Sequence, residues 1–343
     1  MIDIFNPGGL PYVETPTDIK WSELGAAIAP NDRSVPYNIE DELGIKLPIN
    51  DQGQSTSCGG QAFSKYNAVR AKLRGGEYVE RSAAYVYRQT AVVSNGVALG
   101  SYLGDNAHLD YTQGVCYESL CSSNPQTDAH YLNVVITEAM RQNALLSKGE
   151  TYAFLIRPTI DQVAQAIKHN GGCVMLLAGE NNGTWFSAFP KPPTYRQWGH
   201  FMYFGKVRTI NGKFYVGGLQ SWGSSVGSGD EPGWQWFGEE WFNGQWMEAG
   251  VTIVMKPLPA PPSYQFTRDL TIGSVGEDVR FLQVYLNKNG FPVASSGPGS
   301  PGNETNYFGS LTRSALAKFQ AAKGIKPSVG YFGPITRGYV NSH

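Results

Sequence analysis

The stretch that most constrains this chain is Asp51-Gln-Gly-Gln-Ser-Thr-Ser-Cys58-Gly-Gly-Gln-Ala-Phe-Ser64. A turn-rich run, Asn50 to Ser57, feeds a segment in which Ala62, Tyr66, Val69 and Leu73 recur at helical spacing. That spacing predicts a helix with one buried face. Cys58 falls in its first turn. Ser57 is the expected N-cap, and Gly60 three residues on rules out a capping box. A thiol at this end feels the positive end of the helix dipole, which favours the nucleophilic thiolate. A lone cysteine at a helix start is more often a buried, inert side chain, so its surroundings must decide.

Those surroundings extend far downstream. Arg81-Ser-Ala-Ala-Tyr starts a second helix, and Asp128 to Asn143 and Thr159 to His169 read as helices. In the last of these Ile160, Val163, Ala164 and Ile167 make an apolar stripe, read as core. Gly171-Gly-Cys173-Val-Met-Leu-Leu-Ala178 reads as a buried strand entered through a glycine turn, with Cys173 structural. Trp198-Gly-His200-Phe-Met-Tyr-Phe-Gly-Lys-Val207 alternates as a strand should, Asn211-Gly212 is a hairpin signal, and Phe214 to Leu219 is the return strand. Gln220-Ser-Trp-Gly223 and Gly233-Trp-Gln-Trp-Phe-Gly-Glu-Glu-Trp-Phe242 follow.

Taken in this order the motifs resemble the papain-like cysteine peptidases. Gln52, Gly53, Ser57 and Cys58 match the active-site segment in register; Ala62 and Phe63 match after a two-residue offset. His200 lies in the window of roughly 130–150 residues downstream where that signature places its histidine. Gly100-Ser-Tyr-Leu-Gly-Asp to Gly114-Val-Cys-Tyr-Glu118 and Gln220-Ser-Trp-Gly223 match two further family segments. The resemblance implies an α+β catalytic domain with a helical half and an antiparallel β half. It implies Cys58 as nucleophile, His200 as base, Gln52 as oxyanion donor and Gln220 where relatives carry the Asn that orients the imidazole. It also implies Tyr102, Leu103 and Gly104 at the cleft wall and Trp222 over the His–Gln contact. Ser55, Thr56 and Gly59 depart from the pattern, and the disulfide made by the family's first Cys must be absent.

The hairpin register tests this assignment. A strict two-residue turn at Asn211-Gly212 sets Gln220 opposite Tyr203, whose side chain points away from the His200 face. A three-residue loop or a bulge at Gly217-Gly218 puts Gln220 on the His200 face, and one of these two is expected.

A chain of 343 residues suggests two domains, and 41% hydrophobic content with 13% aromatics can fill a core. The net charge of −1 gives no reason to expect nucleic acid. It is split: +4 from Ser263 onward and −5 before. The four cysteines, Cys58, Cys116, Cys121 and Cys173, have no metal-ligand spacing, so no metal is expected; Cys116 and Cys121 are either bridged or free. No signal peptide is read at the start and no stretch is long enough to span a membrane.

The expected division is an N-terminal arm (1–48), a peptidase domain (49–255), a proline-rich linker (256–266) and a C-terminal module (267–343). Met255-Lys-Pro-Leu-Pro-Ala-Pro-Pro262 should be a semi-rigid spacer. Beyond it Val279, Leu282 and Leu286, then Leu311, Ala315 and Phe319, form two helical stripes. Tyr307-Phe-Gly-Ser-Leu-Thr-Arg313 is echoed by Tyr331-Phe-Gly-Pro-Ile-Thr-Arg337. Together with Gly273-Ser-Val-Gly-Glu-Asp-Val and Leu282-Gln, the module resembles three-helix peptidoglycan-binding domains. Ser295 to Glu304 is a glycine- and proline-rich insertion.

The function expected on this basis is a cysteine endopeptidase targeted to bacterial cell wall. Its partners would be a protein or peptide substrate and peptidoglycan, with no cofactor, no membrane and a monomeric state. A cell-wall, virion or extracellular location fits. The alternatives are a peptidase of peptidoglycan cross-links and a decayed, wall-binding or virion structural protein.

Overall fold

The computed structural model describes residues 8–15, 18–149, 151–224, 226–228, 231–254, 265–295, 297–300 and 304–342. The chain divides into two compact units between Pro259 and Ala260. The proline-rich spacer expected at Met255–Pro262 lies outside the described residues, as does part of the 295–304 insertion.

The first unit joins a helical half to an antiparallel sheet. The central helix is Cys58–Leu73. The strands used below are β1 (Tyr37–Asn38), β2 (Ala91–Ser94), β3 (Val97–Ser101), β4 (Tyr152–Ile156), β5 (Cys173–Gly179), β6 (Trp198–Ile210), β7 (Lys213–Leu219), β8 (Trp234–Phe237) and β9 (Met247–Ile253). Seven of them form one sheet in the order β8-β7-β6-β5-β9-β4, with β1 added along β6; β2 and β3 pair apart as a hairpin.

Alternation gives this sheet two apolar faces. Val174, Leu176, Phe201 and Tyr203 turn towards Phe63, Tyr66 and Val69 of the central helix. Met175, Leu177, Met202 and Phe204 turn the other way, onto Ile160, Val163, Ala164 and Ile167 of the Ile160–Asn170 helix and a cluster of tryptophans. The helix–sheet seam carries polar staples: the fully buried Tyr66 hydroxyl accepts from the Ile253 N–H at 3.1 Å. The β6–β5–β9 centre is therefore rigid, and a residue at the start of β6 is held from both faces.

Two helical expectations need correction. The 128–143 segment is two helices, Asp128–Asn133 and Glu138–Leu145, because Thr137 starts the second by accepting the Met140 N–H at 3.3 Å. Leu311 is 55% exposed and does not belong to the core stripe; Leu316 takes that place. Before the sheet, Trp21–Leu24 is α-helical, continued by a 3₁₀ turn at Gly25–Ala27.

The first 48 residues, as far as they are described, are stitched into the unit. Trp21 is fully buried, Tyr37–Asn38 adds to the sheet and Glu40 is held by Lys46, Lys206 and the Leu47 N–H. The second unit packs the helices Glu277–Lys288, Ser310–Ala322 and Pro334–Ser342 around Leu270, Leu282, Phe308, Leu316, Phe319 and Phe332. The echoed sequence is an echoed structure. Gln283 Nε2 donates to the Tyr307 carbonyl (3.0 Å) and Thr312 Oγ1 (2.9 Å); Gln320 Nε2 donates to the Tyr331 carbonyl (2.7 Å) and Thr336 Oγ1 (2.9 Å). No helix among the described residues is long and apolar enough to cross a membrane.

Candidate active site

Cys58 is the first residue of the central helix, and Ser57 precedes it without a side-chain cap. The Ser57 hydroxyl is spent instead on Ser55 Oγ (2.7 Å) and on the Gln61 amide it accepts from (3.2 Å). The chain leading in is braced by the segment after β7. The Gln52 N–H donates to the Ser221 carbonyl (2.7 Å), Ser221 Oγ donates to Gln52 Oε1 (2.6 Å) and the Gly223 N–H donates to the Asn50 carbonyl (3.0 Å). Gln52 and Gln220-Ser-Trp222, 168 residues apart in the chain, are thus brought side by side. Gln52 Nε2 gives one hydrogen bond to the Ser55 carbonyl at 2.9 Å.

The Cys58 thiol is fully buried, with the backbone N–H groups of Phe201, Gly59 and Cys58 itself facing it. Phe201 follows His200 in β6, so the sulfur rests against the peptide that carries the imidazole. Burial pushes the thiol up to about 12, against the pull of the three N–H groups. The depressed thiol expected from the helix dipole is therefore not what this arrangement has, because desolvation outweighs it.

His200 is fully buried at the start of β6, opposite Leu177. Its ring stacks on Trp222 with centroids 4.3 Å apart and planes 10° apart, and Trp185 meets it edge-on at 5.8 Å. Gln220 is buried, accepts the Trp222 N–H on Oε1 at 2.8 Å, and has no partner for Nε2 among the described residues. The hairpin register departs from both expected forms. Ile210 pairs with Lys213, so the turn has two residues, and the extra residue is Gly205 in β6, between Phe204↔Gly218 and Lys206↔Gly217. Tyr203 pairs with Leu219, and one further step sets Gln220 opposite Met202, on the His200 face.

The three residues expected at the cleft wall lie in different settings. Leu103 is buried in the core and Tyr102 is 40% exposed at the head of the Leu103–Thr112 helix; a Cβ on Gly104 would meet open space. Gly100-Ser101, at the end of β3, runs along Gly8–Leu10 and meets Gly59. A Cβ on Gly59 would overlap Ser101 Oγ and come within 2.9 Å of Asn106 Nδ2, so a side chain there would displace both. Sequence reading also missed Trp185, and its one available signal was the density of tryptophans.

Between Ser101 and Gly199 runs the N-terminal arm. The Gly9 N–H donates to the Gly199 carbonyl (2.8 Å), the Leu10 N–H to the Ser101 carbonyl (3.2 Å), and the Ser101 N–H to the Gly8 carbonyl (3.0 Å). Arg196 Nη2 reaches the Gly9 carbonyl at 3.2 Å. The arm thus bridges β3 and β6, immediately before His200. All four cysteines are free and buried, which answers the question left open for Cys116 and Cys121.

Xylellain, a cysteine protease from Xylella fastidiosa, matches with a TM-score of 0.61 at 16% identity, over 74% of this chain and 97% of its own. This is the papain-like fold. A digestive procathepsin L2 proteinase from Tenebrio molitor larval midgut matches at TM-score 0.56 and 14% identity, over 73% of this chain and 78% of its own. Bromelain from Ananas comosus, solved with the E64 inhibitor, matches at 0.52 and 14%, over 64% of this chain and 99% of its own. Residues 275–338 match the family described as "Putative peptidoglycan binding domain". No curated protein matches the sequence. The papain-like unit is thus followed by a helical peptidoglycan-binding module.

Proposed function

We propose that the papain-like unit is a cysteine endopeptidase that the C-terminal module directs to bacterial cell wall. The observation that carries this reading is the Cys58 thiol resting against the Phe201 N–H, one peptide from His200, at the start of a helix. Cys58, as thiolate, adds to a peptide carbonyl; His200 keeps the thiol proton and delivers it to the leaving amine. Water then breaks the thioester with His200 as base, releasing the acid and restoring the thiol. The Cys58 N–H and the second hydrogen of Gln52 Nε2 would hold the oxyanion, and loss of one such donor costs about a hundredfold or more in turnover. Gln220, braced on the Trp222 N–H, would steady the imidazole, with Trp222 covering the ring. Nucleophile, base and oxyanion donors suffice for amide hydrolysis, so no cofactor is invoked.

The test is casein hydrolysis by wild type and Cys58→Ala. Wild type should cleave and the variant should not; equal hydrolysis by both refutes the nucleophile. A second reading, favoured by the match at residues 275–338, takes peptidoglycan stem or cross-link peptides as the substrate. Peptide release from purified sacculi without casein turnover would select it.

A further inference from the structure

The slot beside Cys58 is narrow in a particular way. A Cβ on Gly8 would overlap the Thr56 carbonyl, two residues before the nucleophile. A Cβ on Gly9 would lie 2.6 Å from the Gly199 carbonyl carbon and 2.8 Å from the His200 nitrogen. The walls are glycine too: a Cβ on Gly100 would overlap the Gly8 carbonyl, and one on Gly199 the Gly9 carbonyl. At Gly8, Gly9 and Gly100 every atom met is backbone, held by β6 on one side and by the β2–β3 hairpin and the Cys58 loop on the other; at Gly199 the Arg196 guanidinium is met as well as the Gly9 carbonyl. Those backbone atoms cannot rotate aside as the end of a long side chain does. Meanwhile the hydrogen-bonding groups of the slot, the Gly199 and Ser101 carbonyls and the Ser101 N–H, serve any peptide backbone. Attraction there is general, and exclusion is steric.

We propose that this slot is gauged for two consecutive glycines: the peptides it takes carry a Gly-Gly pair where they pass between Ser101 and Gly199, and Gly8-Gly9 hold that place in the free protein. The proposal rests on the peptidase reading for what happens to a bound peptide, but not for the fit itself. It explains a thiol and an imidazole both sealed from solvent in a fold whose site must admit a chain. It also explains why the chain segment seated there has no side chain at the two positions that touch the walls. Displacing the arm costs three backbone hydrogen bonds that an incoming peptide can remake, so occupancy is a competition and not a permanent block.

The test uses the full-length protein and reads Cys58 alkylation by iodoacetamide, site-resolved by mass spectrometry. Gly9→Leu cannot seat in the slot and should expose the thiol, raising the Cys58 rate about tenfold or more over wild type. Gly8→Leu serves as the second variant, and circular dichroism checks that both are folded. Equal Cys58 rates in wild type and in the folded variants overturn the proposal. Next, peptides that differ only in Gly-Gly, Gly-Ala or Ala-Ala at their centre are added to Gly9→Leu protein. The Gly-Gly peptide should protect Cys58 at concentrations about tenfold or more below those of the Ala-Ala peptide. Equal protection by all three overturns the gauge. Cleavage of the same peptides is scored separately. Selective protection without cleavage would sink the peptidase reading and leave the slot standing; cleavage without selectivity would do the reverse.

Discussion

Cys58 sits where two effects oppose each other: helix-terminal N–H groups favour its thiolate and burial disfavours it. Burial wins, and the thiol stands at about 12. A cysteine whose native value is raised stabilises the fold fully below its unfolded value of about 8.5, and that contribution is lost as pH rises towards the native value. The thermal midpoint should therefore fall between about pH 8.5 and 12, and Cys58→Ala should flatten that fall. Melting curves of both proteins across that range check it; parallel curves would remove Cys58 as a cause. Gly59 makes a second residue-scale case. Gly59→Ala should cost about 1–3 kcal/mol in urea unfolding, since its methyl overlaps Ser101 Oγ. Ser101→Gly in the same chain should recover part of the loss, and a cost unchanged by the second substitution would place the strain elsewhere. The meeting of the Cys58 segment with the His200 strand and of Gln52 with Ser221 was legible from the order of the motifs. The contacts of Gly100, Ser101 and Gly199 with Gly8–Leu10 were not, because they run through backbone atoms of distant segments, which leave no side-chain pattern to read.

At the scale of elements, the feature that sets the site is the bulge in β6. Asn211-Gly212 announced a two-residue hairpin, and alternation alone then demanded an extra residue somewhere to bring Gln220 to the His200 face. The sequence offers glycines on both strands, and the expected forms were a three-residue loop or a bulge at Gly217-Gly218. The extra residue is Gly205, where a Cβ would lie 2.8 Å from Ile39 Cγ2 and 2.7 Å from the Tyr203 hydroxyl. No local pattern reports that contact with the N-terminal segment. A counter-intuitive prediction follows from the pairing. Deleting Gly205 leaves Tyr203↔Leu219, Phe204↔Gly218 and Lys206↔Gly217 in order and keeps Phe204 and Val207 on one face. Peptide cleavage by the deletion protein should stay within about tenfold of wild type. A loss beyond about a hundredfold in a folded protein would show that the bulge itself, and not only the register, positions the site.

The described part of the first 48 residues is fastened to the first unit at several points, and Glu40 is one of them. Its Oε2 receives Lys206 Nζ at 2.7 Å and Lys46 Nζ at 3.0 Å, and its Oε1 receives the Leu47 N–H at 3.0 Å. Lys206 in turn reaches Glu231 at 3.1 Å. Burial alone would raise the carboxyl, but the Lys206, Leu47 and Lys46 hydrogen bonds outweigh it and hold Glu40 below the usual range. The sign is that of a depressed acid: its stabilisation is present above the unfolded value of about 4.3 and is lost as pH falls through the lower native value. Glu40→Gln keeps the shape and removes the charge, leaving Lys206 buried with Glu231 as its remaining carboxylate partner among the described residues and the Trp234 ring beneath it. It should cost about 3 kcal/mol at pH 7, at the low end for breaking a buried pair. The difference from wild type should shrink below about pH 4, where the wild-type carboxyl is itself being protonated. Because β1 lies along β6 and Gly9 lies against Gly199, the same substitution should also speed Cys58 alkylation. Urea unfolding at pH 7 and pH 3.5, with alkylation measured in parallel, separates the outcomes. A stability loss with unchanged alkylation would mean that the Glu40 fastening and the Gly8–Leu10 strip are held independently, and equal stability at pH 7 would remove the ion cluster from the account of how the arm stays on the sheet.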